Sequence, residues 1–208
     1  MFAQLRQALD KPVFYIALQK SIGADRIRYW CLDEAALKPG DRVLDMGCGP
    51  AYYFDWLPEV EYVGFDTSER YVAYARRRYG ERGDFRCEIL TAEHLSKLGQ
   101  FDAVLLLGLL HHLDDADSAS LLDLSAKALA PGGRVVSCDT TVHEGQRRVS
   151  RWMSENDRGG YVRRPESYDS LARARFGELE THLLYDLTRV PTSIYMMRMA
   201  APLATSAD

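Results

Sequence analysis

Short apolar runs alternate with amphipathic stretches over residues 41–139 of the chain. Apolar runs of about 4–8 residues bounded by polar or glycine residues are typical of buried strands, whereas apolar residues spaced by three and four are typical of helices. This alternation predicts an α/β fold with a parallel sheet. The predicted strands are residues 42–46, 61–66, 84–89, 102–107 and 134–139.

The stretches between these strands carry helical patterns and the signals that begin and end helices. Ser68 and Glu69 supply the polar start and early acid expected at a helix N-terminus. Pro131 and the two glycines after it end the last helix and open the next strand. The predicted helices are residues 51–58, 68–80 and 116–130.

Residues 1–38 precede the first strand and carry helical patterns of their own, interrupted near Pro12 and Gly23. They predict a helical N-terminal extension. We expect its apolar side chains, Phe14 and Leu18 among them, to pack as core.

The chain of 208 residues suits one domain, residues 1–208. Residues 40–140 form its predicted core, and the arginine-rich residues 141–175 follow as an insert. Residues 176–200 then alternate like two antiparallel strands, which would complete a seven-stranded sheet.

Composition narrows the possible functions. The net charge of −4 lacks the basic surplus of a nucleic-acid binder, and no apolar run is long enough to span a bilayer. The N-terminus has no apolar block of a secretory signal. The four cysteines are scattered without a C-x-x-C pair, so we expect reduced thiols in a cytoplasmic protein and no metal site.

The most informative chemical feature is a glycine-rich turn followed by an acid on the next strand. Gly47 and Gly49 close the first strand and allow the backbone to pass near a ligand, because glycine tolerates positive φ. Asp66 ends the second strand, where a carboxylate can accept hydrogen bonds from both ribose hydroxyls. A helix N-cap is the alternative role for Asp66. The combination predicts a nucleoside site.

The details of the turn separate two kinds of nucleoside ligand. A dinucleotide site requires G-x-G-x-x-G, whereas Tyr52 stands where the third glycine belongs. Asp45, which we expect inside the turn, would repel a pyrophosphate and help hold an ammonium group. A ligand with an amino-acid end is therefore favoured, and a nicotinamide oxidoreductase is disfavoured.

Residues 43–49 (VLDMGCG) resemble the first motif of the class I S-adenosylmethionine-dependent methyltransferases, which reads apolar-apolar-acid-x-G-x-G. Residues 101–107 resemble the fourth strand of that family, residues 108–113 the loop after it, and residues 129–136 the turn that opens the fifth. The resemblance covers roughly residues 40–140. It implies a Rossmann-like, doubly wound, mostly parallel seven-stranded sheet with an antiparallel last strand.

The resemblance also implies S-adenosylmethionine as the cofactor and S-adenosylhomocysteine as its product. On the family pattern, the turn surrounds the methionine end and the second strand holds the ribose. The implied cofactor-binding residues are Asp45, Gly47, Cys48, Gly49, Asp66, Thr67, Thr91, Ala92 and Leu107. Thr91 stands where an acid commonly recognises adenine, and Glu93 is the alternative there. In this family an N-terminal extension often closes over the cofactor, here with Arg28, Tyr29 or Trp30.

Two histidines follow the fourth strand, where a general base would lie. We expect His112 to take that catalytic role, because imidazole suits proton transfer near neutral pH. Packing or capping is the alternative for either histidine. We expect His111 to bind substrate together with Tyr161, Arg163 and Arg164, since arginine recognises phosphate and carboxylate. Pairing of these arginines with surface acids is the competing interpretation.

The sequence therefore predicts a methyltransferase that acts on a small molecule. We expect O-methylation of a hydroxyl or carboxyl on an anionic metabolite or on a glycan or lipid precursor. The loop after the fourth strand lacks the Asn/Asp-Pro-Pro-aromatic signature of enzymes that act on nucleobase or glutamine-amide nitrogens. The alternative is a non-catalytic relative that binds the cofactor as a partner or regulatory subunit. The oligomeric state stays open, a homodimer included.

Overall fold

The structure is a computed structural model that describes residues 11–185 and 187–204. Seven strands form one sheet. They are β1 Arg42–Met46, β2 Glu61–Asp66, β3 Asp84–Cys87, β4 Phe101–Leu107, β5 Leu129–Thr140, β6 Phe176–Tyr185 and β7 Ser193–Pro202. The spatial order is β3-β2-β1-β4-β5-β7-β6, and β7 runs antiparallel to both neighbours while the other pairs are parallel. The predicted seven-stranded, Rossmann-like architecture is confirmed.

Helices cover both faces of this sheet. They are α1 Pro12–Ile22, α2 Asp25–Ala35, α3 Glu69–Tyr79, α4 Ala92–Leu98, α5 Asp115–Ala128, α6 Arg148–Glu155 and α7 Pro165–Arg173. Local capping explains where two of them begin. Ser68 accepts a hydrogen bond from a backbone amide of α3, and Asp114 does the same for α5. Within the described ranges, no helix is both long and apolar enough to cross a bilayer.

Successive residues of the central strands face opposite sides of the sheet, and both sides are buried. Val104 and Val135 belong to one apolar cluster, whereas their chain neighbours Leu105 and Val136 belong to the other. This is the period of two expected for a strand. Burial on both faces explains why these strands are continuous apolar runs in the sequence.

The predicted helix at residues 51–58 is wrong. The chain forms one 3₁₀ turn there, Phe54–Trp56. Ala51 adopts a positive φ of 48°, which is incompatible with an α-helix at that point. The aromatic rings of Tyr53 and Phe54 are buried instead along this irregular path.

The predicted helical extension is present as α1 and α2, while residues 1–10 lie outside the described part of the chain. The expectation that Phe14 and Leu18 pack as core is wrong, because their side chains are 55% and 37% exposed. No residue of α1 is buried. Helix α2, in contrast, packs one face against the sheet.

Gly64 in β2 offers a direct test of the packing beneath the turn. A Cβ atom at this position would lie 2.8 Å from Tyr62 Cε1 and 3.0 Å from Cys48 Sγ. We expect Gly64→Ala to lower the free energy of unfolding by about 1–3 kcal/mol through overpacking. Gly177→Ala is the matched control, since its Cβ would meet nothing closer than 3.4 Å. Equal stability of both variants in urea denaturation would contradict the packing described for β2.

Candidate active site

A cavity of about 890 Å³ opens at the carboxyl ends of the central strands. Its volume lies within the range of about 300–1,000 Å³ typical of small-molecule sites. Its walls come from the turn after β1, the end of β2, the loop after β4, helices α1 and α2, and the end of α6. Among the residues that line it are Arg28, Gly47, Gly49, Asp66, Thr67, Leu107, His111, His112, Cys138, Asp157 and Arg158.

The turn after β1 has the conformation that its glycines were predicted to allow. Gly47 and Gly49 have φ values of 77° and 56°, in the left-handed region that disfavours a side chain. A Cβ atom on Gly47 would lie 3.0 Å from the Leu109 side chain. The amides of Gly47 and Cys48 both donate to the Phe65 carbonyl, at 2.8 and 3.0 Å. The turn is thus tied to β2 by backbone hydrogen bonds.

Asp66 connects this turn to the start of α3. Its Oδ2 accepts a hydrogen bond from the Gly49 amide at 2.8 Å, and its Oδ1 accepts one from the Ser68 amide at 2.7 Å. Burial raises the pKa of the carboxyl, an effect that these two amides partly offset. Ser68, rather than Asp66, is the N-cap of α3. Asp66 and Thr67 both line the cavity.

Asp45 and Cys48 lie elsewhere than predicted. Asp45 belongs to β1 rather than to the turn, is fully buried, and does not line the cavity. Its Oδ2 accepts hydrogen bonds from the hydroxyls of Tyr53 and Tyr62, at 2.5 and 2.6 Å. Burial raises the pKa of Asp45 to about 6 despite these phenols. Cys48 is 2% exposed and packs its sulfur towards Gly64, so its side chain is also away from the cavity.

Thr91 and Ala92, predicted at the adenine, do not line the cavity. Thr91 is the N-cap of α4 and forms a reciprocal capping box with His94, so its hydroxyl already has a partner. Ala92 is the first residue of that helix. The alternative, Glu93, is exposed and pairs with Lys97 at 2.7 Å. Helix capping accounts for these side chains without a ligand.

The two histidines after β4 both line the cavity but differ in their partners. His111 is buried, with Nδ1 2.8 Å from Asp139 Oδ1 and Nε2 3.3 Å from Asp157 Oδ1. Burial alone would lower the pKa of His111, but the two carboxylates outweigh it and raise the pKa. Burial and the neighbouring His111 lower the pKa of the more exposed His112. His111, predicted as a substrate ligand, therefore has a carboxylate on each ring nitrogen, at 2.8 and 3.3 Å.

The other predicted substrate residues do not line the cavity. The Arg163 side chain is 7% exposed, and its Nε lies 2.8 Å from Asp115. Its terminal nitrogens donate to the carbonyls of Leu110 and Leu113, so its hydrogen-bonding capacity is used within the protein. Arg164 is the residue before α7 and does not line the cavity.

Tyr161 is half-exposed and also lies off the cavity, although its amide donates to the His111 carbonyl at 3.0 Å. Gly159 lies against the same histidine. A Cβ atom on Gly159 would fall 2.2 Å from the His111 carbonyl oxygen. The insert therefore contacts His111 through its backbone as well as through the Asp157 side chain, and Arg158 is its cavity-lining arginine.

Arg28 is the site residue that the sequence indicated least clearly. It lies on α2, is 9% exposed and lines the cavity. Its Nη1 donates to the Cys138 sulfur at 3.1 Å, while its buried Nε has no partner among the described residues. A buried guanidinium with unused donors is suited to an anionic ligand group. Residues 11–185 and 187–204 contain no cluster of three or more histidine, cysteine or acidic side chains placed to hold a metal ion.

Comparison with known proteins agrees with this geometry. The methyltransferase domain family matches residues 43–133. The ubiquinone biosynthesis O-methyltransferase of Pseudomonas aeruginosa is 34% identical over 111 residues, which is 50% of this chain and 46% of that protein. The probable tRNA methyltransferase 9B of Mus musculus is 28% identical over 130 residues, or 61% of this chain and 27% of that protein. The chain thus spans less than half the length of either relative.

A solved structure shows the same fold. The phosphoethanolamine N-methyltransferase 2 of Haemonchus contortus, in complex with phosphomonomethylethanolamine and S-adenosylhomocysteine, aligns with a TM-score of 0.60. The alignment covers 80% of this chain and 50% of that one at 18% identity.

The titration of His111 tests the arrangement of carboxylates around it. We expect NMR to give a pKa for His111 above its ordinary value of 6.5. Asp139→Asn should lower this pKa, Asp157→Asn should lower it less, and the exposed Glu166→Gln should leave it unchanged. Folding raises the pKa of His111. Protonation of His111 therefore adds to the free energy of unfolding, fully below about pH 6.5, and this contribution is lost as the pH rises through the folded-state pKa.

The same variants have an expected signature in stability. The advantage of the wild type over Asp139→Asn in free energy of unfolding should therefore shrink as the pH rises through the folded-state pKa of His111. A His111 pKa that does not respond to Asp139→Asn would contradict the pairing.

Proposed function

We propose that this chain, whose residues 43–133 match the methyltransferase domain family, is a class I S-adenosylmethionine-dependent methyltransferase that transfers a methyl group to an oxygen of a small anionic molecule bound in the cavity. The observation that carries the proposal is the Asp66 carboxylate, fixed by the amides of Gly49 and Ser68 at the cavity wall. S-adenosylmethionine supplies an electrophilic methyl group on a sulfonium sulfur. The protein must position this group, position the acceptor and accept a proton.

Residues on two sides of the cavity fit the two ends of the cofactor. The Asp66 oxygens retain lone pairs for the ribose hydroxyls after accepting one amide each. Gly47 and Gly49 have positive φ and no side chain, so they leave room for the ligand beside the turn. The free Nε of Arg28 suits the carboxylate of the methionine end. A buried guanidinium without an anion is costly, so a ligand carboxylate at this position would stabilise both groups.

His111 is the proposed general base. Asp139 holds its Nδ1 at 2.8 Å, which directs Nε2 towards the cavity side where Asp157 lies 3.3 Å away. An acceptor hydroxyl that takes the place of Asp157 at Nε2 would pass its proton to the neutral imidazole as the oxygen attacks the methyl group. The Asp139 carboxylate would then stabilise the imidazolium. An acceptor carboxylate would need no base.

The charge around the cavity bears on the acceptor. Arg70 and Arg158 are exposed and line it, which favours an anionic acceptor, although Glu69 and Asp157 also contribute to the lining. The ubiquinone O-methyltransferase relative is consistent with an oxygen acceptor. The tRNA methyltransferase relative makes RNA the second candidate, and the net charge of −4 disfavours it.

Thermal unfolding with S-adenosylhomocysteine tests the cofactor site. At a ligand concentration about 100 times Kd, the wild type should gain about 2.7 kcal/mol of stability. Asp66→Ala should lose most of this gain, because the ribose contact is removed. Thr91→Ala is the matched control: it removes a helix cap and should cost about 1 kcal/mol of stability while keeping the full ligand-induced gain.

Two results would overturn the site as described. A folded wild type that gains no stability from S-adenosylhomocysteine would remove the cofactor proposal. If Thr91→Ala lost the ligand-induced stability and Asp66→Ala kept it, the nucleoside would bind at the end of β3 instead.

Turnover assays test the roles of the two histidines. We expect a panel of phenols, hydroxylated carboxylates and phosphate-bearing alcohols to yield an acceptor, followed by release of S-adenosylhomocysteine. His111→Asn should then lower kcat by about 10²–10⁴-fold with cofactor binding intact, and His112→Asn should have a smaller effect. Cofactor binding without turnover on any acceptor would favour a non-catalytic partner or regulatory subunit. A larger effect of His112→Asn would restore His112 as the base.

A further inference from the structure

Two of the four cysteines lie together beneath the cavity. Cys31 belongs to α2 and Cys138 to β5, and both are essentially inaccessible from outside the protein, at 0% and 2% exposure. Both belong to the same buried cluster, and each thiol shifts the pKa of the other, upward for Cys31 and downward for Cys138. The other two cysteines, Cys48 and Cys87, have no such neighbour among the described residues.

Helix geometry explains why the pair meets. Cys31 follows Arg28 by three residues, so both side chains lie on the face of α2 that packs against the sheet. Arg28 Nη1 contacts the Cys138 sulfur at 3.1 Å, one helical turn from Cys31. Cys138 thus lies beside both the Cys31 thiol and a guanidinium.

The surroundings give Cys138 the character of a reactive thiol. The Cys31 thiol lowers the pKa of Cys138, and so do the charges of Arg28 and His111, whereas burial and Asp139 act in the opposite direction. Thiolate is the nucleophilic form of cysteine. Cys138 also lines the cavity, so a small oxidant can reach it from inside the site.

We propose that Cys31 and Cys138 form a reversible disulfide when a peroxide enters the cavity. The Cys138 thiolate attacks one peroxide oxygen, the O–O bond breaks, and the released hydroxide takes a proton to form water. The Cys31 sulfur then attacks Cys138 Sγ. The S–S bond forms, the S–O bond breaks, and the departing hydroxide leaves as water with the Cys31 proton. Two electrons pass from the two thiols to the peroxide.

The disulfide would join α2 covalently to β5. Ala24, Ile27 and Arg28 of this helical region line the cavity, so the bond would fix one wall of the site against the sheet. It would also remove the thiolate that faces Arg28. Oxidation would therefore hold the N-terminal region in place and raise thermal stability.

The experiment uses the full chain, treated with hydrogen peroxide under native conditions and analysed by non-reducing peptide mass spectrometry. We expect a Cys31–Cys138 crosslink and a rise in Tm that dithiothreitol reverses. Cys31→Ser and Cys138→Ser should each abolish the crosslink and the rise. Cys87→Ser, which changes an exposed thiol away from the pair, should keep both.

Several outcomes would overturn the proposal. These are oxidation of Cys87 with Cys138 untouched, conversion of Cys138 to sulfinic acid without a crosslink, or an unchanged crosslink yield in Cys31→Ser. Should Cys138→Ser fail to fold, Cys31→Ala with trapping of the Cys138 sulfenic acid by dimedone provides the second test. Absence of the trapped adduct in that variant would also overturn the proposal. No cofactor is needed, so failure here leaves the proposed function unaffected.

Discussion

The hydrogen bonds from the Gly49 and Ser68 amides to Asp66 are the interaction on which the site depends. One carboxylate joins the turn after β1 to the start of α3, and these are the two backbone segments that frame one side of the cavity. Because both amides hold the carboxylate, its orientation is fixed before any ligand binds. Such preorganisation lowers the entropy lost when a ribose is bound.

The buried ionisable groups around the cavity are stabilised in different ways. Asp45 Oδ2 accepts hydrogen bonds from two tyrosine hydroxyls, and His111 lies between two carboxylates. Arg28 differs in charge and place: its Nε, like Asp45 Oδ1 and Asp139 Oδ2, has no partner among the described residues, but it belongs to a cation that lines the cavity. A ligand anion in the cavity can reach this unpaired donor, whereas Asp45, Tyr79 and Ser137 do not line the cavity. The cofactor carboxylate and the thiolate of Cys138 are the two anions that can meet Arg28.

The sheet and the glycine turn were predictable because their signals are local. Buried strands are continuous apolar runs, and Gly47 and Gly49 belong to a short motif whose glycines permit the positive φ that the turn requires. The position of Asp66 at the end of β2 was predictable for the same reason. The error at residues 51–58 arose because helical spacing of apolar residues does not show a positive φ at Ala51.

The rest of the site depends on contacts between residues distant in the sequence. No sequence pattern shows that Arg163 reaches the carbonyls of Leu110 and Leu113, or that Asp139 meets His111 across 28 positions. The capping role of Thr91 had a local signal, since Thr91 and His94 are spaced for the capping box that they form. Helix capping competes with ligand binding for the same residue types, and only the cavity position distinguishes them.

A crystal structure of the chain with S-adenosylhomocysteine would test the central claim most directly. We expect both ribose hydroxyls within hydrogen-bonding distance of Asp66 and the ligand carboxylate on Arg28, with the Gly49 and Ser68 amides still bound to Asp66. Ligand density elsewhere, or a ribose held by groups other than Asp66, would contradict the assignment of the cavity as the cofactor site.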